Sequence, residues 1–143
     1  MQASEFQDTA ERLAQGTTEG DWRSAISRAY YAVFHHFLDF FLSHGLNLGS
    51  GGQAHALLYQ ALNNCGYPAV KSIANAVNDL RRTRGEADYE LTATIDQLSA
   101  VGAVRAAQGI VDTFQNLLTT LAPVDIVDGV RNYLQTSGRL PKP

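Results

Sequence analysis

The sequence predicts an all-α fold, and three observations carry that prediction. No run of alternating apolar and polar residues reads as a strand. Apolar residues instead recur at helical spacing through most of the 143 residues. The intervals between these stretches hold the residues that start and stop helices, among them Gly16, Gly45, Pro68 and Pro123. The expected architecture is an antiparallel bundle of four to five helices with an extra C-terminal helix. Residues 1–122 form the bundle on this reading, and 123–143 the added helix and tail.

The first helix is expected over Ser4–Gln15. Ser4 and Gln7 have the spacing of a capping box, Gly16 closes the end, and Phe6, Ala10 and Leu13 form the buried stripe. After a turn over 17–20, Asp21 is expected to cap a long second helix reaching His44, with Gly45 as its stop. The segment 46–53 carries Gly49, Gly51 and Gly52 but lacks the Gly-Lys-Ser/Thr ending of a phosphate loop, so it reads as a flexible connection. A third helix is expected over His55–Asn64. Pro68 opens a fourth, which runs to Arg84 with Gly85 ending it. Thr92 is expected to cap a fifth helix to Leu121, weakened at Gly102 and Gly109 and stopped by Pro123. Asp125–Thr136 form the last helix, and Gly138–Pro143 a tail.

Composition narrows the function. Hydrophobic residues make up 45% and charged residues 17%, which excludes a disordered chain. A net charge of −3 argues against a strongly basic, sequence-independent DNA binder. The nine arginines against two lysines favour local recognition of phosphate or carboxylate. The single cysteine, Cys65, excludes an internal disulfide and a Cys-rich zinc site, and reads as a small core residue. The N-terminus has acidic residues and no apolar stretch of the kind a secretory signal carries. No segment reaches the roughly 20 apolar residues of a membrane span. A soluble, cytoplasmic protein is expected.

The second helix carries the chemistry. At about 100° per residue it divides into two faces. Trp22, Ile26, Ala29, Tyr30, Val33, Phe37, Phe40 and Phe41 share the core face. Ser24, Arg28, Tyr31, His35 and Asp39 share the opposite stripe, bordered by Leu38 and Leu42. Apolar residues beside a polar stripe suggest contact with a second subunit.

The run Arg23-Ser-Ala-Ile-Ser-Arg-Ala-Tyr-Tyr-Ala-Val-Phe-His35 resembles the signature helix of the HEPN superfamily (higher eukaryotes and prokaryotes nucleotide-binding domains). His55 follows the Gly-rich loop. Arg81-Arg-Thr-Arg84-Gly-Glu-Ala-Asp88-Tyr89 resembles the second signature of the same branch. The resemblance spans about Phe6–Leu121. It implies a small helical bundle that dimerises, and an endoribonuclease that needs no metal or cofactor, such as a toxin of a toxin–antitoxin pair or an antiviral effector. The partners implied are RNA or a nucleotide, a second copy of the chain, and an antitoxin or other protein.

The superfamily hallmark, Arg followed after four to six residues by His, is met by Arg28 and His35. It makes these two the expected catalytic residues. Histidine can move a proton near neutral pH, and arginine can grip a phosphate with two parallel bonds. Tyr31, His55, Arg81 and Arg84 are the expected RNA- or nucleotide-binding groups. Ala29 stands where many nuclease members carry a polar residue, and no histidine follows His55.

Each of these residues also has a structural reading. His35 and His36 can serve as hydrogen-bonding packing groups, and His55 as a helix cap. Tyr31 can bond Asp88. Positive charge at Arg81, Arg82 and Arg84 is favoured at a helix C-terminus without any ligand, and Asp88 can pair with one of them. No histidine pair has the i, i+4 spacing of a zinc site, and no metal is expected. Two further functions therefore stand beside the nuclease. One is a non-catalytic module of the same family that binds nucleotide, RNA or a protein partner. The other is a plain helical oligomerisation domain.

Overall fold

The computed structural model of the chain describes residues 1–140. Six helices are found among them: α1 (Ala3–Ala14), α2 (Glu19–Ser43), α3 (Gly52–Asn63), α4 (Pro68–Tyr89), α5 (Gln97–Leu117) and α6 (Pro123–Thr136). The described residues contain no strand, and no described helix is long and apolar enough to cross a membrane. The chain divides into two compact units. The first holds Met1–His36 and Ala76–Val111; the second holds Phe37–Asn75 and the stretch from Asp112 onward.

In the first unit, α1 is turned differently from its predicted stripe. Gln7, Ala10 and Ala14 are buried, while Phe6 and Leu13 are half-exposed. Gln7 is drawn inward because its Nε2 donates to the Val104 carbonyl of α5 and to Glu11 Oε1, both at 3.2 Å. A buried amide with partners costs little, so the helix can bury Gln7 and leave Phe6 at the rim. The cap of α1 also moves. Gln2, not Ser4, precedes the helix, and its backbone N–H donates to the Glu5 side chain.

Asp21 does not sit at the N-cap of α2 but in its first turn. Thr18 and Asp21 form the reciprocal box instead. The Asp21 N–H donates to Thr18 Oγ1 at 3.1 Å, and the Thr17 and Thr18 N–H groups donate to Asp21 Oδ2 at 3.2 Å. These bonds hold the Asp21 carboxyl below its ordinary pKa. Gly16 is required here, since a Cβ on it would lie 2.5 Å from Asp21 Oδ2. Along α2, Ile26, Ala29, Tyr30 and Val33 are fully buried, as the helical pattern predicts. Ala25, Ser27, Ala32 and Phe34 are buried as well, so the buried arc is wider than the predicted face.

Helix α4 does not stop at Gly85 but continues through it to Tyr89. Two interactions hold the extra turn. Arg84 pairs with Asp88 one turn later at 3.5 Å, and Arg23 of α2 bonds the last carbonyls. Gly85 has open space where a Cβ would point and no positive φ. Gly85→Ala is therefore expected to raise stability by about 0.5–1 kcal/mol, read as a higher urea midpoint. An unchanged or lower midpoint would show that α4 is already frayed there.

Helix α5 begins after Asp96 rather than Thr92. Asp96 Oδ1 accepts from the Ser99 N–H at 2.8 Å and the Ser99 hydroxyl at 2.7 Å, which lowers the Asp96 pKa. Gln97 Nε2 reaches the Ala14 carbonyl at 3.0 Å and so closes the end of α1.

In the second unit, α2 ends at a Schellman motif. Gly45, at φ +80°, donates to the Leu42 carbonyl at 3.0 Å, and Leu46 donates to the Phe41 carbonyl at 2.9 Å. Phe37, Phe41, Leu58, Leu62 and Phe114 are large fully buried side chains here; each removes apolar surface worth about 1.5–3 kcal/mol from water. Cys65 is buried, as the sequence suggests, and burial pushes its thiol pKa up. A Cβ on Gly129 would lie 2.1 Å from the Cys65 carbonyl oxygen, so only glycine lets α6 approach that turn. Helix α5 ends at Leu117, short of Leu121, and Pro123 begins α6 instead of stopping α5. The predicted tail starts with Gly138, which closes α6 at φ +78°; its last residues, 141–143, lie outside those described.

Candidate functional site

Four of the six predicted site residues meet in one aromatic and cationic cluster of the first unit. α2 supplies Arg28, Tyr31 and His35, which follow one another along a single stripe because they are spaced by three and four residues. The seven residues from Arg28 to His35 span about 10 Å of helix axis. The Arg28 guanidinium covers part of that interval. Its carbon lies 5.0 Å from the Tyr31 ring centroid and 5.6 Å from that of Phe6. The His35 ring is stacked on Phe6 at 5.0 Å and 14°, and lies 6.0 Å from Tyr31. Arg28 and His35 thus share the same two rings, Phe6 from α1 and Tyr31 from α2. All four are half-exposed.

Arg84 comes from α4. Its guanidinium carbon lies 5.2 Å from the Tyr30 ring, 5.8 Å from Tyr31 and 5.9 Å from Tyr89. The side chain is 11% exposed, and its Nε is buried with no hydrogen-bond partner. Its ion pair with Asp88 fulfils the expected pairing of that carboxylate with one of the arginines. Asp88 Oδ2 also accepts from the Ser27 hydroxyl at 3.2 Å, and Ser27 Oγ accepts from Arg28 Nη2 at 3.3 Å. A polar chain therefore runs Arg28–Ser27–Asp88–Arg84. It fixes both guanidinium groups relative to the rings.

Arg81 is half-buried on α4, and its charge acts on Tyr30. Arg82 faces solvent and pairs with Asp79. His55 lies in the first turn of α3, in the other unit, and is half-buried. His36 lines a cavity of about 180 Å³ with Gln7, Asp8 and Glu11. Among the described residues, no group of three or more His, Cys, Asp or Glu side chains is placed to hold a metal ion.

Tyr30 is fully buried beneath the cluster, and burial pushes its phenol up to about 12, against the opposing pull of Arg81 and Arg84. The raised value means that the folded state favours the neutral phenol. Tyr30 supports stability fully below pH 10, and that support is lost as pH rises toward 12. Unfolding free energy is expected to fall by roughly 2–3 kcal/mol over that window, and Tyr30→Phe should flatten the slope. Chemical denaturation between pH 9 and pH 12 measures it; equal slopes in both proteins would contradict it.

Phe6, Ser27 and Asp88 belong to the cluster but not to the predicted site residues, Asp88 being expected only as an ion-pair partner. Helical spacing places Phe6 in the core, because its position alone does not show that Gln7 takes the buried place. Ser27 looks like an ordinary small helix residue, and only the fold shows that Asp88 lies against it. Comparisons with protein-family models, with curated proteins and with solved structures find no match to this chain.

Proposed function

We propose that this chain is a HEPN-type, metal-independent endoribonuclease that acts as a dimer, as a toxin or defence effector. Residues 1–122 form the HEPN-like bundle on this reading. The carrying observation is the pairing of Arg28 and His35 over Phe6 and Tyr31 on a half-exposed face. Arg28 grips the scissile phosphate and stabilises the charge that builds on it. His35 takes the proton from the 2′-hydroxyl, whose oxygen attacks the adjacent phosphorus. The bond to the 5′ oxygen breaks, and that oxygen leaves with a proton from a histidine acting as acid. The products are a 2′,3′-cyclic phosphate and a 5′-hydroxyl. Tyr31, Arg81 and Arg84 support the RNA beside the pair, and His55 is assigned to RNA contact from the sequence resemblance. A second copy brings a second Arg28–His35 pair; Leu42 of α2, 58% exposed, is apolar surface suited to such an interface.

The test is the chemistry of the products. A labelled single-stranded RNA is expected to give cyclic-phosphate ends, and the matching all-deoxy oligonucleotide to stay intact. Hydrolysis to a 3′-hydroxyl, or cleavage of the deoxy strand, contradicts the mechanism.

One observation favours a second reading. The near-parallel stack of His35 on Phe6 is the kind of contact a histidine makes when it serves packing. A non-catalytic module that binds RNA, nucleotide or a protein partner through the same cluster keeps Arg28 as its anion ligand and gives binding without cleavage.

A further inference from the structure

Tyr89 is the residue of this region that neither the packing nor the proposed chemistry uses. It ends α4 with 76% of its surface exposed, although its ring is large and mostly apolar. Arg84 lies 5.9 Å from its ring centroid. Arg84 is held in turn by Asp88 and by the rings of Tyr30 and Tyr31. Aromatic and guanidinium groups therefore alternate across the unit in the order Tyr89, Arg84, Tyr31, Arg28, Phe6. Every neighbouring pair lies within 6 Å.

We infer that Tyr89 is a base-stacking platform that takes one unpaired base of the strand whose phosphate is held at Arg28. The assignment rests on the reading of Arg28 as a phosphate ligand. Two features of the array favour a nucleotide. An exposed ring offers a flat face to any base, so stacking tolerates sequence. Arg28, half-exposed against the Tyr31 and Phe6 rings, favours a partner that is flat and negatively charged at once, and Arg84, buried and paired with Asp88, links it to Tyr89. The chain's net charge of −3 gives no general attraction to RNA, so affinity has to come from a local array of this kind. A paired base cannot lie on Tyr89 without leaving its helix, so the platform selects single-stranded over double-stranded RNA.

The experiment uses the full chain and 2′-O-methyl RNA decamers, which bind but cannot be cut by 2′-hydroxyl attack. 2-Aminopurine is placed at each position in turn. Wild-type protein is expected to quench one position strongly. Tyr89→Ala should abolish that quench and weaken binding about tenfold or more, whereas Tyr89→Phe and Tyr89→Trp retain both. Removing the base at the quenched position should weaken the wild type by a similar factor and leave Tyr89→Ala unaffected. The same sequence in a duplex should bind no better than Tyr89→Ala binds the single strand.

Because no cleavage is needed, failure of the nuclease reading and failure of the platform are separate results. Normal quenching with an inactive enzyme supports the platform alone. Normal cleavage with unchanged binding by Tyr89→Ala overturns the platform, and leaves Tyr89 and the neighbouring exposed Leu91 as a protein-facing surface. Absence of binding by folded wild-type protein overturns it as well.

Discussion

Arg23→Ala is expected to destabilise the chain by about 3 kcal/mol, which places it among the most damaging single changes to the first unit. The side chain is 13% exposed, and its planar fork is fully engaged. Nε donates to Glu19 Oε1 at 2.8 Å, and Nη1 to the Ala87 and Glu90 carbonyls at 2.8 and 3.2 Å. Nη2 donates to the Ala93 carbonyl. One cation thus closes the C-terminal end of α4 and the connection toward α5. The Glu90 carbonyl also accepts from the Ala93 N–H at 3.1 Å, and a positive charge is favoured beside carbonyls at a helix C-terminus. Alanine removes the donors together and leaves the Ala87 and Ala93 carbonyls to find water. Arg23→Lys should recover little, because an ammonium cannot reproduce the fork. Urea unfolding followed by circular dichroism measures the loss. Amide exchange should quicken first over residues 87–95. A change under about 1 kcal/mol would show that α4 closes without this clamp.

The second large effect concerns the proposed chemistry. His35→Ala is expected to lower the RNA cleavage rate by about 10²–10⁴, the range for a general acid–base group. Arg28→Ala is expected to lower it by about 10²–10³, as for other groups that stabilise transition-state charge. Both side chains are half-exposed, so the variants should fold. Arg28→Lys is the sharper variant. It keeps the charge but loses the fork that spans two phosphate oxygens and the flat face that lies on Tyr31. A rate close to the wild type in Arg28→Lys would mean that charge alone suffices at this position.

The helices were legible in the sequence because burial at helical spacing leaves a strong periodic mark. On α2 the predicted core positions Ile26, Ala29, Tyr30, Val33, Phe37 and Phe41 are buried, whereas Trp22 and Phe40 are half-exposed. The ends were less legible because each had more than one chemically suitable residue. Thr18 and Asp21 can each serve as a cap, and the structure uses both in one reciprocal box. Asp96 prevails over Thr92 because Ser99 stands where both of its donors reach the carboxylate. Gly85 signals a stop locally, but Arg23, far away in sequence, supplies the partners that let α4 continue. A local signal cannot anticipate such a long-range bond.

The candidate site divides in the same way. Arg28, Tyr31 and His35 were readable because they lie on one helix, whose geometry fixes their common stripe. Arg84 and Asp88 were readable as a pair because they are one turn apart. Phe6 and Ser27 were not, since their place in the cluster depends on how α1 turns and on where α4 ends.

Cleavage of a labelled single-stranded RNA in excess EDTA, by wild type, Arg28→Ala and His35→Ala, tests the central claim most directly. Cleavage is expected to survive the chelator and to disappear in both variants. Folded wild-type protein that leaves several RNAs intact, or variants that cut as well as the wild type, would contradict it.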